Sequence, residues 1–315
     1  MNRALVFPGQ GSQSVGMGHA LAGAFAEARD VLQEVDDALG QHLTRLMFEG
    51  PENDLKLTEN AQPALMAVSL AVIRVLDKQG NFRLPPAAKF VAGHSLGEYS
   101  ALCAAESFTL ADTARLLKKR GQAMQQAVPV GIGTMAALIG VDLAAAQEIA
   151  AAAAQGEVCT AANDNAPGQV VISGHVGAID RAIAIAAERG FKRSIKLPVS
   201  APFHCSLMQP AADAMQKALA DVKIRPPTMP LIANVTAEAV SDAGRIRDLL
   251  IKQITAPVRW RESVLYMKGH GIGQLVECGA GSVLASLAKR IDKDITAVSL
   301  HTPEEIEEFL KSRDG

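Results

Sequence analysis

The sequence is short of the features that announce several common functions. Its four cysteines, Cys103, Cys159, Cys205 and Cys278, are scattered with no C-x-x-C pair, which argues against a zinc or disulfide framework and makes a reducing compartment the default. Aromatic residues are 4% of the chain, with one tryptophan, too few for a base-stacking surface. Neither sign of charge is in excess: Lys+Arg 31 against Asp+Glu 33 leaves −2, so no general pull toward nucleic acid is expected. No run approaches the roughly 18 apolar residues of a membrane helix. The opening Met1-Asn2-Arg3-Ala4-Leu5-Val6-Phe7-Pro8-Gly9 lacks the apolar core of a secretory signal, and a cytoplasmic enzyme is expected. There is no internal repeat.

What is present is 315 residues, 49% of them hydrophobic and 20% charged, enough for one large or two ordinary domains with an ample core. Apolar runs of strand length alternate with stretches of helical periodicity. Strands are expected at Ala4–Phe7 and Phe90–Ala92, helices from about Gly18 to Leu39, from about Gln62 to Gln79, and from Thr109 to about Val128. Leu84-Pro85-Pro86 breaks the chain before the second strand. Residues 129–198 then change character. Strands at Thr134–Val141, Val158–Ala162, Gln169–Ser173 and Lys192–Leu197 enclose helices at Leu143–Gln155 and Ala178–Arg189, and the turn-rich Asn163–Gly168 joins the middle strands. That β-α-β-β-α-β order is the ferredoxin-like split unit. From Ser200 onward, strands at Pro230–Val235, Ile272–Glu277 and Thr296–Leu300 again alternate with helices, which implies a mainly parallel wrapped sheet. The expected fold class is therefore α/β. A large α/β-hydrolase-like domain (1–128 and 199–315) would carry a small inserted ferredoxin-like domain (129–198).

The chemistry is declared at Gly93-His94-Ser95-Leu96-Gly97. An apolar strand enters it and the helix-forming Glu98-Tyr99-Ser100-Ala101-Leu102 leaves it, the strand–turn–helix context of a nucleophile elbow. Flanking glycines permit the tight backbone approach, and the following helix N-terminus can stabilise an oxyanion. Ser95 is the expected nucleophile.

A serine nucleophile needs a base. His94 adjoins Ser95, but successive side chains at an elbow point apart, and His175 falls in the inserted unit. His204, on the Pro-bounded segment where the chain returns to the large domain, is best placed. Arg120 shares an apolar helix face with Leu117 and Met124, a costly position for a cation without a partner. Two readings stay open from the helix alone: a structural ion pair or snorkelling side chain, and a fork for a substrate carboxylate. Gly279-Ala280-Gly281-Ser282 lacks the lysine of a phosphate-binding loop and the full dinucleotide fingerprint, and reads as a strand-to-helix turn.

Several ordered motifs now coincide: Phe7-Pro8-Gly9-Gln10-Gly11-Ser12-Gln13, Gly93–Tyr99, Arg120 after Leu116-Leu117-Lys118-Lys119, Asn163 with Pro167–Gly174, Pro202-Phe203-His204, Asn234-Val235-Thr236-Ala237, and Gln253. Together, nearly end to end, they resemble the malonyl-CoA:acyl carrier protein transacylases and the related acyltransferase domains of polyketide synthases. The resemblance implies that Ser95 carries the malonyl ester, with His204 as base and then acid, and that Arg120 pairs with the free malonate carboxylate. It further implies an oxyanion hole from the backbone N–H groups of Gln10 and Leu96. A backbone carbonyl at Gln253 would orient the histidine, in keeping with the lack of a convincing third acid. Phe203 would crowd an α-methyl group, and Asn163 would face the substrate. Lys192, Arg193, Lys289 and Arg290 resemble contacts for coenzyme A phosphates or an acidic carrier protein, against the plainer reading of a solvated basic face.

The expected activity is thus malonyl transfer from malonyl-CoA to the phosphopantetheine thiol of acyl carrier protein, supplying fatty-acid synthesis, by a monomer with no permanently bound cofactor, no metal, and no nucleic-acid or membrane partner. The alternatives are a free-standing polyketide or malonate-decarboxylase-type acyltransferase, a serine esterase or thioesterase, and an inactive carrier-protein-binding module. Arg120 argues against the hydrolase, and intact Ser95 and His204 argue against the inactive module.

Overall fold

Two strands place the turn that carries Ser95: β1 (Arg3–Phe7) and β2 (Phe90–Gly93) run parallel, with Ala4 opposite Phe90 and Phe7 opposite Gly93. The structure, a computed structural model, describes residues 2–80, 82, 84–85, 87–199 and 201–312. Pro86 and Ser200, which belong to the expected break and re-entry segments, lie outside them. The remaining strands in chain order are β3 (Gly133–Ile139), β4 (Cys159–Ala166), β5 (Gln169–His175), β6 (Arg193–Lys196), β7 (Leu231–Ile232), β8 (Ala239–Val240), β9 (Gln274–Cys278) and β10 (Thr296–Leu300).

The larger sheet has the order β10-β9-β1-β2-β7-β8. Its pairs are parallel except β7 with β8. Both faces are covered, which explains the uninterrupted apolar strand sequences. Alternation sorts the side chains. Leu5, Phe7 and Val91 join the core under helix Thr58–Gly80, while Ala4, Val6, Phe90 and Ala92 pack with Trp260, Val264, Leu284 and Leu287 on the other face. Helices Trp260–Gly269 and Val283–Ile291 supply that second layer.

The smaller sheet is antiparallel, in the order β4-β5-β3-β6. Helices Leu143–Ala154 and Val176–Glu188 cover one face through a separate cluster that includes Leu138, Ile149, Ile172 and Ala182. From the opposite face, Met135, Ala137, Ala162 and Val171 join the large core.

Several expected elements differ in extent. The helix expected over Gly18–Leu39 is two helices, His19–Ala24 and Ala26–Leu39, because Phe25 is extended at φ −124°, ψ 128°. The next helix begins at Thr58 and carries Pro63 inside it. Two short helices, Leu43–Glu49 and Glu52–Lys56, were not foreseen. Asn163–Ala166, expected to be turn, continues β4. Ala162 O accepts from Val258 N at 2.8 Å and Asp164 N donates to Val258 O at 3.0 Å, a long-range partner that local turn propensity cannot reveal. The strand expected over Pro230–Val235 ends at Ile232, since Asn234 is diverted to bond the nucleophile turn. Thr109 caps helix Leu110–Gln126, its Oγ1 accepting from Asp112 N at 3.0 Å.

Candidate active site

The elbow is a backbone constraint before it is chemistry. A Cβ on Gly93 would lie 1.9 Å from the Gly97 carbonyl group, and one on Gly97 would lie 2.2 Å from Phe7 O. Only glycine lets strand end and helix start pass so closely. Ser95 itself sits at φ 52°, a left-handed conformation disfavoured for L-residues. Asn234 holds it there: its Oδ1 accepts from Ser95 N at 2.8 Å and its Nδ2 donates to Gly93 O at 2.7 Å.

Ser95 Oγ lies 2.8 Å from His204 Nε2, and His204 Nδ1 lies 2.8 Å from the main-chain oxygen of Gln253. A carbonyl can only accept, so Nδ1 carries the proton and Nε2 is left free to take one from the serine. That oxygen is available because Gln253 closes helix Ala243–Gln253, where last-turn carbonyls lack intrahelical partners. His204 is also left-handed, at φ 59°. Burial and then the nearby Arg120 push its pKa down to about 3, so the imidazole is neutral and poised as a base.

Arg120 is 1% exposed. Its Nη1 donates to Gln62 Oε1 at 2.9 Å, and its Nη2 to Gln253 Oε1 at 2.8 Å and to Ser95 Oγ at 3.0 Å. All three partners are neutral, so neither the direct ion pair nor the snorkelling side chain describes it. Burial lowers its pKa, opposed by Tyr99 and Glu98. Its buried Nε has no hydrogen-bond partner. A guanidinium held only by neutral oxygens beside Ser95 Oγ retains its capacity for an anionic ligand.

Ser95, His204, Arg120 and Gln62 line a cavity of about 330 Å³ with Gln10, Leu96, Met124, Met135, Asn163, Leu197 and Phe203. Among the described residues, the backbone N–H groups of Gln10 and Leu96 donate to no acceptor, and both flank Ser95 in the lining. Asn163 Oδ1 is buried without a partner. A larger cavity of about 460 Å³, walled by Leu70, Phe82 and Phe108, contains no paired nucleophile and base. Among the described residues no group of three His, Cys, Asp or Glu could hold a metal ion, and no helix is long and apolar enough to cross a membrane.

Ser95, His204, Arg120, Gln253, Gln10, Leu96, Phe203 and Asn163 are therefore brought together. Lys192, Arg193 and Arg290 are not in the lining; Arg290 Nη1 instead bonds Gln169 Oε1. The lysine in the lining is Lys56, ion-paired with Glu52 at 2.7 Å on the exposed surface. His94, set aside as base, bonds Asn165 Oδ1 through Nε2 at 2.9 Å. Sequence reasoning assigned no role to Asn234, Gln62 or Glu98. Asn234 and Glu98 stand inside quoted motifs, but nothing in the chain order says that they meet beneath the serine. Gln62 reads as an ordinary helix residue.

Known proteins resemble the chain over nearly its whole length. The family described as acyl transferase domain matches residues 4–301. The malonyl CoA-acyl carrier protein transacylase of Escherichia coli strain K12 is 45% identical over 300 residues, covering 95% of this chain and 96% of the relative. The crystal structure of an acyl-carrier-protein S-malonyltransferase from Bartonella henselae superposes with a TM-score of 0.97 at 54% identity, over 100% of both chains. A malonyl-transacylase solved in complex with a type II polyketide acyl carrier protein superposes with a TM-score of 0.96 at 40% identity, over 99% of this chain and 100% of that one.

Proposed function

The chain belongs to the acyl transferase family, among the malonyl CoA-acyl carrier protein transacylases, and from that premise we propose that it moves malonyl from coenzyme A to acyl carrier protein through an ester on Ser95. The product supplies fatty-acid synthesis. The observation that carries the mechanism is Arg120, buried among neutral oxygens and 3.0 Å from Ser95 Oγ.

In the first half-reaction Ser95 Oγ attacks the malonyl thioester carbon and its proton passes to His204 Nε2. The N–H groups of Gln10 and Leu96 receive the oxyanion, while Arg120 pairs with the free carboxylate. Collapse breaks the C–S bond, and the departing thiolate of coenzyme A takes the proton back from His204. In the second half the phosphopantetheine thiol gives its proton to His204 and attacks the ester. The C–O bond to Ser95 breaks, and the serine oxygen recovers the proton. The order is ping-pong. No cofactor is retained between the halves.

Phe203 at the cavity wall disfavours an α-methyl branch, and Asn163 offers the substrate its unpartnered oxygen. Lys192, Arg193 and Arg290 contact the carrier protein or coenzyme A phosphates beyond the cavity. We take residues 129–198 as a ferredoxin-like insert in a hydrolase-like domain of 1–128 and 199–315, a reading supported by the antiparallel order β4-β5-β3-β6. A cytoplasmic monomer is our reading, and the four free, buried cysteines support its reducing compartment.

The test is incubation with malonyl-CoA followed by peptide mass spectrometry and then addition of acyl carrier protein bearing phosphopantetheine. A malonyl mass on the Ser95 peptide, discharged onto the carrier protein, is expected. Label on another residue, or release of free malonate without transfer, would overturn the proposal.

A further inference from the structure

Beneath the reacting atoms lies an acid that the mechanism above does not use. Glu98, 1% exposed, stands in the first turn of helix Gly97–Ala104, which leaves the elbow. Its Oε2 accepts from Gln253 Nε2 at 2.6 Å and from Asn234 N at 3.3 Å, while its Oε1 has no partner. The same Gln253 amide nitrogen donates to Ser95 O at 2.9 Å, and the amide oxygen faces Arg120 Nη2 at 2.8 Å.

A side-chain amide has nearly the same shape either way round, so its partners decide which end faces where. Turned over, Gln253 would present an N–H group to the Arg120 guanidinium and an oxygen to Glu98 Oε2 and Ser95 O. Every contact would then be donor to donor or acceptor to acceptor. Glu98 Oε2, at 2.6 Å, is the nearest acceptor holding the amide in its working sense.

We propose that Glu98 is a positioning residue for malonyl selectivity: its Oε2 fixes the Gln253 amide so that the amide oxygen holds Arg120 beside Ser95. The role rests on the malonyl-transfer reading above. It requires an acceptor oxygen, not a charge. Burial lifts the Glu98 carboxyl to about 7, with Gln253, the Asn234 N–H and Arg120 pulling it back, and Oε2 accepts from Gln253 in either protonation state. The residue at 98 thus acts on the carboxylate clamp through Gln253, without touching the substrate.

The test compares malonyl-CoA and acetyl-CoA as donors for wild type, Glu98→Met, Glu98→Gln and Gln253→Met, with folding checked by circular dichroism. Met at 98 removes the acceptor at similar size, and Gln restores an acceptor without charge. Met at 253 removes the amide but keeps the main-chain oxygen for His204. We expect the ratio of malonyl to acetyl kcat/KM to fall about tenfold in Glu98→Met, the scale of one lost hydrogen bond to a charged group. Gln253→Met should show the same fall, and Glu98→Gln should keep the ratio within about threefold of wild type. An unchanged ratio in Glu98→Met, or Glu98→Gln falling as far as the Met variant, overturns the role. Should Glu98→Met not fold, an unchanged ratio in Gln253→Met overturns it equally. Absence of transfer by the wild type would overturn the malonyl reading itself, an outcome distinct from an unchanged ratio in active variants.

Discussion

Arg120 Nη2 donates to Ser95 Oγ at 3.0 Å while the same oxygen sits 2.8 Å from His204 Nε2. One serine hydroxyl therefore lies between a neutral base and a fixed cation. The cation favours negative charge developing on the oxygen, and it keeps the base neutral by penalising the imidazolium. The group proposed to hold the malonyl carboxylate is thereby coupled to the proposed base, through one serine oxygen.

Arg120→Ala should cost malonyl transfer far more than acetyl transfer, because the acetyl group has no carboxylate to pair. Losing a bidentate charge-assisted contact is worth on the order of 1.5–3 kcal/mol, roughly ten- to 150-fold in the ratio of kcat/KM values. Steady-state assays with both donors check this, and equal losses would assign Arg120 to structure alone.

The pH dependence of Ser95 acylation should be flat through the ordinary histidine range. His204 is pushed down to about 3 by burial and Arg120, so the neutral base is present at all pH values well above that. Single-turnover acylation between pH 5 and 8 should show no loss centred near 6.5; a midpoint there would mean that the imidazole titrates normally. The same downward shift has a stability consequence. Below about 6.5 the unfolded chain binds this proton more readily than the folded one, so His204 costs stability as pH falls toward 3.

Phe203→Ala should relax discrimination against a donor with an α-methyl branch. One methyl group in an apolar wall is worth about 1–3 kcal/mol, so the methylmalonyl-to-malonyl ratio should rise severalfold in competition assays. No change would remove Phe203 from the selectivity wall.

Gly93→Ala should fail at folding, not merely at catalysis. The added Cβ would stand 1.9 Å from the Gly97 carbonyl group, backbone that cannot give way, and overpacking of this kind costs about 1–3 kcal/mol or more. Soluble yield and melting temperature report it; a variant as stable as wild type would show that the elbow can open.

Glu277 carries the opposite pH sign from His204. It is buried at the end of β9, and its two oxygens accept from Leu284 N at 3.1 Å and Ala285 N at 2.8 Å, capping helix Val283–Ile291. Burial raises its carboxyl to about 7 despite those bonds. A raised folded-state value means a stabilising contribution fully present below the unfolded value near 4.5 and lost as pH rises through 7. The melting-temperature advantage of wild type over Glu277→Gln should therefore shrink between pH 5 and 8, and a growing advantage would contradict the shift.

Much of this was legible in the residues because it is local. The elbow follows from Gly93, Ser95 and Gly97 within five positions. The β-α-β-β-α-β order follows from alternating periodicities. Arg120 could be placed on its apolar helix face, but its two readings could not be separated by position alone. Gln62, Ser95 and Gln253, which reach it from three distant segments, show that no ion pair among the described residues holds it. The misread stretches share that cause. Asn163–Ala166 looks like turn until the backbone at Val258 pairs with it, and Pro230–Val235 looks like strand until Asn234 is drawn to Ser95.

The sequence by itself determined the glycine-flanked turn that carries Ser95 and the order of elements, since backbone sterics and hydrophobic period act between near neighbours. Only the tertiary structure decided that His204 leans on a main-chain oxygen and not on an acid, and that Arg120 is buried without a counter-charge in contact. Only there does Glu98 meet Gln253. Each of these is a contact across at least 49 positions of chain, set by how two sheets and their covering helices close on one cavity.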